Sequence, residues 1–91
     1  MDLGFLWDED KEALVREKHD VNLEQAIEAL VDPHHLYEED PQQNWGRFMI
    51  IGKTRTGRLL QVIVSDEELP IMRLVTAFDA DLEWRQKYEQ I

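Results

Sequence analysis

Two apolar runs, Arg47-Phe48-Met49-Ile50-Ile51-Gly52 and Arg58-Leu59-Leu60-Gln61-Val62-Ile63-Val64, are separated only by Lys53-Thr54-Arg55-Thr56-Gly57. Runs of this length, rich in β-branched residues and joined through Thr and Gly, read as a β-hairpin. Their near-continuous apolar character is that of strands covered on both faces rather than one. A chain of 91 residues has room for one core around such a pair, so the sequence predicts a single domain over residues 1–91.

The flanks supply the cover. Leu3–Trp7 reads as a short opening strand, and Asp8 as the cap of a helix ending near His19. Asp8, Glu9, Asp10 and Glu12 fall in the first turn of that helix, where carboxylates interact favourably with the helix dipole. A capping box of Asn22 and Gln25 opens a second helix. Its apolar residues Leu23, Ala26, Ile27, Leu30 and Val31 keep helical spacing until Asp32-Pro33 stops it. A strand near His35–Glu38, a polar loop Glu39–Gly46, the hairpin, a turn at Asp66–Leu69 and a strand Ile71–Thr76 follow. Asp79 or Asp81 caps a last helix running to about Glu89. The order β-α-α-β-β-β-β-α predicts an α+β fold: an antiparallel-rich sheet of four to five strands with three helices on one face.

Charge is distributed unevenly. The chain is net -10, yet residues 44–64 hold four bases and no acid. Residues 1–43 carry 13 acids against 3 bases, and residues 65–91 carry 7 against 3. The acidic body repels nucleic acid and anionic lipid at long range, so any RNA contact must be confined to the basic hairpin. Cysteine is absent, which excludes a disulfide framework, a thiol nucleophile and cysteine-ligated zinc. No apolar run approaches a membrane span and the first residues lack a basic signal region, so a cytoplasmic location is expected.

Arg73 shares its strand face with Ile71 and Val75, an apolar row where a guanidinium needs a carboxylate partner or a cleft. Arg47 and Lys53 end the row Arg47, Met49, Ile51, Lys53, and Arg58 faces the Lys53 end across the hairpin. Arg47, Lys53, Arg58 and Arg73 could thus converge on one rim, where guanidinium groups would stabilise a pentavalent phosphate. The competing reading is a solvated hairpin end with a structural ion pair at Arg73. His19 suits proton transfer, since imidazoles exchange protons near neutral pH. The pair His34-His35 makes a poor metal site, because adjacent strand residues point to opposite faces.

Taken in order, these features resemble the BrnT toxin family, bacterial proteins with a RelE-like ribonuclease fold encoded beside a ribbon-helix-helix antitoxin. Phe5-Leu6-Trp7-Asp8 matches its F-x-W-D opening and Lys18-His19-Asp20-Val21 its K-H-G-V turn. Gln25–Pro33 fits the amphipathic helix ending in D-P. Arg47–Lys53 matches the E-R-F-x-x-I-G-R strand, Gly57–Val64 the G-R-L-L-x-V-V-V strand, and Met72–Ala77 resembles R-I-I-S-A-R. Arg85–Glu89 resembles the closing E-R-x-x-Y-E. Three positions depart from the pattern: Asp20 replaces the turn glycine, Asn44-Trp45-Gly46 lacks the acid before Arg47, and Phe78 stands where an arginine is common.

The resemblance implies a toxin of a type II toxin–antitoxin pair that cleaves RNA without metal or cofactor. Its basic positions fall on His19, Arg58 and Arg73 as catalytic groups. Lys18, Arg47, Lys53 and Arg55 would guide the RNA backbone. The partner would be a ribbon-helix-helix antitoxin from the adjacent gene, placing carboxylates on the Lys53–Arg58 patch or an apolar helix across the sheet. A non-catalytic relative that binds a protein partner through the same sheet is the alternative.

Overall fold

The hairpin lies at the centre of the protein. In the computed structural model, which describes residues 4–39 and 46–90, the chain forms β1 (Gly4–Leu6), α1 (Glu9–His19), α2 (Leu23–Leu30), β2 (Leu36–Glu39), β3 (Arg47–Lys53), β4 (Leu59–Ser65), β5 (Ile71–Asp79) and α3 (Leu82–Glu89). This is the α+β order expected from the sequence. The Glu39–Gly46 loop falls largely on Asp40–Trp45, outside the described residues.

The strands form one sheet in the order β1-β5-β4-β3-β2. Neighbours from β2 to β5 are antiparallel, and β1 lies parallel to β5. In the hairpin, Arg47 faces Ser65 and Lys53 faces Leu59. Between β4 and β5 the register shifts at Ile63/Val64: Thr76 faces Ile63 and Leu74 faces Val64, so Val75 is the extra residue of a bulge. Strand β5 runs past the expected Thr76 because Phe78 and Asp79 still pair with Gln61 and Leu60.

Alternation along β4 sends Leu60, Val62 and Val64 to one face, where they pack with Trp7, Val15 of α1, and Ala26 and Ala29 of α2. Leu59 and Ile63 point the other way with Met49 and Ile51, and there Trp84 and Tyr88 of α3 cover them. The expectation of all helices on one face is therefore corrected: α1 and α2 lie on one side and α3 on the other. The reason is that the hairpin strands are apolar on both faces, and the second face also needs cover. It follows that β3 and β4 offer no bare apolar face on which a partner helix could lie, since Met49–Gly52 and Leu59–Val64 are buried throughout.

Single residues set how closely these layers meet. A Cβ at Gly52 would collide with the carbonyl oxygen of Ala29, so only glycine there lets α2 rest against β3. Gln61, a polar residue inside β4, is buried, with its Oε1 accepting from the Asp81 N–H (2.9 Å) and its Nε2 donating to the Met49 sulfur (3.2 Å). It thereby ties the start of α3 to the sheet. The Asn22–Gln25 capping box is present, with bonds of 2.8 and 3.0 Å. Asp81 caps α3 through the Trp84 N–H at 3.1 Å. Asp8 precedes α1 but makes no side-chain cap bond. Its carboxylate is taken by Arg73 instead, a charge-assisted bond stronger than a cap.

Candidate functional site

The β3–β4 turn is stiffened from within. The Thr54 N–H donates to the Arg58 carbonyl (2.8 Å), the Gly57 N–H to the Thr54 carbonyl (3.0 Å), and the Arg58 N–H to Thr54 Oγ1 (3.1 Å). Thr54 is buried, and Gly57 takes the left-handed conformation that closes the turn. Arg58 thus leaves a fixed backbone at the start of β4, pointing toward the end of α1.

There its guanidinium has well-defined partners. Nε donates to Asp79 Oδ1 at 2.7 Å and Nη2 to Oδ2 at 3.2 Å. Nη2 also donates to the His19 carbonyl at 2.7 Å, and Nη1 donates to the Asp20 carbonyl. Four of the five N–H groups of an arginine are engaged, one remaining on Nη1. The carbonyls at a helix C-terminus lack intrahelical donors and carry partial negative charge, which a guanidinium satisfies. The hydrogen bond to Asp79 raises Arg58 above its ordinary pKa, and the Arg58 guanidinium holds Asp79 below the usual carboxylate range.

His19, the last residue of α1, is held through its carbonyl, while its ring meets Phe78 of β5 with centroids 5.8 Å apart at 49°. Lys18 beside it is exposed. Asp20 ends the helix with φ 54° and ψ 44°, its N–H on the Arg16 carbonyl at 3.0 Å. A left-handed residue is needed there, a conformation that glycine adopts freely and aspartate tolerates.

Lys53 and Arg55 reach other surroundings. The Lys53 ammonium lies 5.3 Å from the centre of the Tyr88 ring on α3. Arg55 is largely exposed, its Nε 3.7 Å from Glu28 Oε2 on α2, with its own N–H on Glu28 Oε1 at 3.2 Å. Asp32, which the sequence marks only as a helix stop, lines the same surface as both. It is buried and accepts from the Tyr88 hydroxyl (2.6 Å), the Lys53 N–H (2.8 Å) and the His34 N–H (2.9 Å). Burial alone would raise its pKa, but these three bonds together hold it below the ordinary value. Tyr88 is pushed up to about 12 by burial and by its bond to Asp32. The D-P step and the closing tyrosine were both visible in the sequence, but not their 56-residue-distant pairing. His35 Nδ1 bonds the Asp32 carbonyl at 2.7 Å. Among the described residues no cluster of three His, Asp or Glu side chains could hold a metal ion.

Arg73 and Arg47 stand at the far end of the sheet. Both face Ser65, which lies between them on β4. Arg73 bonds Asp8 at 2.6 Å and Glu68 at 2.7 Å. Those carboxylates, Glu68 foremost, raise its pKa. Arg47 is exposed, with no ion pair among the described residues. Asp79, which holds Arg58, lies six positions along β5 from Arg73, or about 20 Å at strand rise. The structure therefore brings Arg58 to the end of α1 at His19, places Lys53 and Arg55 at the neighbouring turn, and leaves Arg47 and Arg73 at the far end of the sheet. One phosphate cannot touch both Arg58 and Arg73 in this arrangement. The carboxylates Asp79, Asp8, Glu68 and Glu28 are site features that charge counting along the sequence misses, because three of these pairings join distant elements.

A family model described as ribonuclease toxin, BrnT, of type II toxin–antitoxin system matches residues 7–83. Among solved structures, the 1.1 Å crystal structure of the Brucella abortus ribonuclease toxin BrnT shares the fold. The TM-score is 0.65 at 18% identity, over 87% of this chain and 97% of that one. Curated protein sequences gave no match.

Proposed function

The chain belongs to the BrnT family of ribonuclease toxins of type II toxin–antitoxin systems, and on that premise we propose that it is a metal-independent endoribonuclease of the cytoplasm. Its antitoxin would be the ribbon-helix-helix protein of the adjacent gene. The observation that carries the reading is the fixed end of α1: His19 is anchored through its carbonyl by Arg58, and its ring rests on Phe78. A pre-positioned imidazole needs no reorganisation when substrate arrives. In this reading His19 accepts the proton of an RNA 2′-hydroxyl as that oxygen attacks the adjacent phosphorus. The P–O5′ bond breaks as the 2′ oxygen bonds to phosphorus, and the departing 5′ oxygen takes up a proton from solvent. Lys18 and the remaining Nη1 N–H of Arg58 stabilise charge on the phosphate. Lys53 and Arg55 guide the neighbouring backbone, while Arg47 and Arg73 contact phosphates at a distance from the reacting one.

Cleavage of purified cellular RNA, followed on denaturing gels with and without chelator, tests this. Wild-type protein should cleave equally in both, and His19→Ala should lower the rate by about 10²–10⁴ and flatten the pH–rate profile near neutrality. Arg73→Ala should have the smaller effect. Wild-type protein that cleaves no faster than His19→Ala would end the enzyme reading. A second reading, a non-catalytic protein-binding module, is favoured by one observation: Arg55, Arg58 and Arg73 are each paired with carboxylates of their own chain. Such pairing diminishes the positive charge available to RNA.

A further inference from the structure

Helix α2 has a second apolar side that the core uses only at Leu23. Ala26 and Ala29 are fully buried against the sheet, but Ile27 is only half-buried and Val31, at its C-terminal cap, is 61% exposed. With Leu23 they form a row at intervals of four residues, about 12 Å long at helical rise. This row is one wall of a furrow of about 630 Å³ whose other wall is the turn residues Lys53, Thr54 and Arg55. A surface helix needs one stripe buried. Here a second stripe lines an open concavity.

The charges on the furrow's rim are asymmetric. Glu28 is already matched by Arg55, whereas Glu24, also in the lining, makes no ion pair among the described residues. With a body of net charge -10, long-range attraction favours a basic occupant, and local complementarity places its positive charge at Glu24.

We propose that this furrow seats the antitoxin, through an amphipathic helical segment of about two turns. That segment would be apolar toward Leu23, Ile27 and Val31, and basic toward Glu24. The proposal rests on membership of a toxin–antitoxin family for the existence of the partner, and on the furrow for where and how it binds. It reverses the charge relation expected from the basic hairpin, where the partner would supply carboxylates. It also carries a mechanism of inhibition: Lys53 and Arg55 line the same furrow, so its occupant covers two of the residues assigned to the RNA backbone while leaving His19 untouched.

The test uses the purified product of the adjacent reading frame, titrated calorimetrically against the full-length protein and three variants. Val31→Glu and Glu24→Lys should each weaken binding about tenfold or more, as loss of a central interface contact does. Glu89→Lys, an equal charge change on exposed α3, should stay within about twofold. Thermal melts should show all three folded, and Val31→Thr, nearly isosteric, replaces Val31→Glu if the latter does not fold. Wild-type affinity retained by the Val31 variant overturns the furrow as the seat. Equal losses in Glu24→Lys and Glu89→Lys overturn the assigned charge pairing. Absence of binding by the wild type overturns the partner reading itself, and the furrow with it.

Discussion

Replacing Arg58 by alanine should cost folding stability, not only activity, and the cost follows from its partners. The bonds from the guanidinium to the carbonyls of His19 and Asp20 each contribute about 1 kcal/mol net, as hydrogen bonds in proteins do. The Asp79 side chain is 55% exposed, so that ion pair adds less than about 1 kcal/mol. The sum is about 2–3 kcal/mol. For a domain of this size each kcal/mol moves the melting temperature by about 4–8 °C, so Arg58→Ala should melt roughly 10–20 °C below wild type. Arg58→Lys should recover less than half, because an ammonium cannot bond a carboxylate and two carbonyls in the fork geometry of arginine. Asp79→Asn should cost under about 1 kcal/mol, and that difference should shrink in 1 M salt (about a 3 Å screening length). Circular dichroism melts and urea titrations of the four proteins provide the measurement. An Arg58→Ala melting temperature within about 2 °C of wild type, against the shift expected from its bonds, would refute the claim that Arg58 anchors the end of α1. Arg58 would then be a free anion receptor.

Gly52→Ala should destabilise by about 1–3 kcal/mol, the usual cost of overpacking, because its methyl meets the Ala29 carbonyl; urea unfolding measures this. The Tyr88–Asp32 bond sets a stability window. Tyr88 is raised from 10.0 to about 12 in the folded state, so its contribution is whole below 10.0 and fades as pH rises through 12. Asp32 is lowered from 3.8, so its contribution is whole above that value and is lost as pH falls through the lower folded one. Tyr88→Phe should cost about 1–2 kcal/mol at neutral pH, remove the alkaline loss and shift the acid limb to higher pH in melts across the range. Asp20→Gly should raise stability by up to about 1 kcal/mol by relieving a left-handed non-glycine residue, with no change in the Arg58 contact, which uses the backbone carbonyl.

Local and periodic features were legible along the chain. The capping box at Asn22, the end of α1 at His19, the hairpin register and the α+β order all depend on neighbours within a few residues or on alternation with period two. The apolar character of both faces of the hairpin strands even signalled that two layers would cover them. The covering of the second face by α3 was not legible, because α3 is short and mostly polar, and its two aromatic contacts gain meaning only against Met49 and Ile51. Convergence of the basic residues was likewise a tertiary matter. The sequence places Arg47, Lys53, Arg58 and Arg73 on strands, but the antiparallel path of β3, β4 and β5 sends them to opposite ends of the sheet. Folding also brings Asp79, Asp8, Glu68 and Glu28 to the arginines, pairings separated by 5 to 65 residues. Charge composition by itself pointed to the hairpin as the basic segment of an acidic chain. Only the fold decided that Arg58 of the hairpin and Arg73 of β5 were bound to carboxylates, since a guanidinium leaving water takes the nearest oxygen atoms the topology offers it.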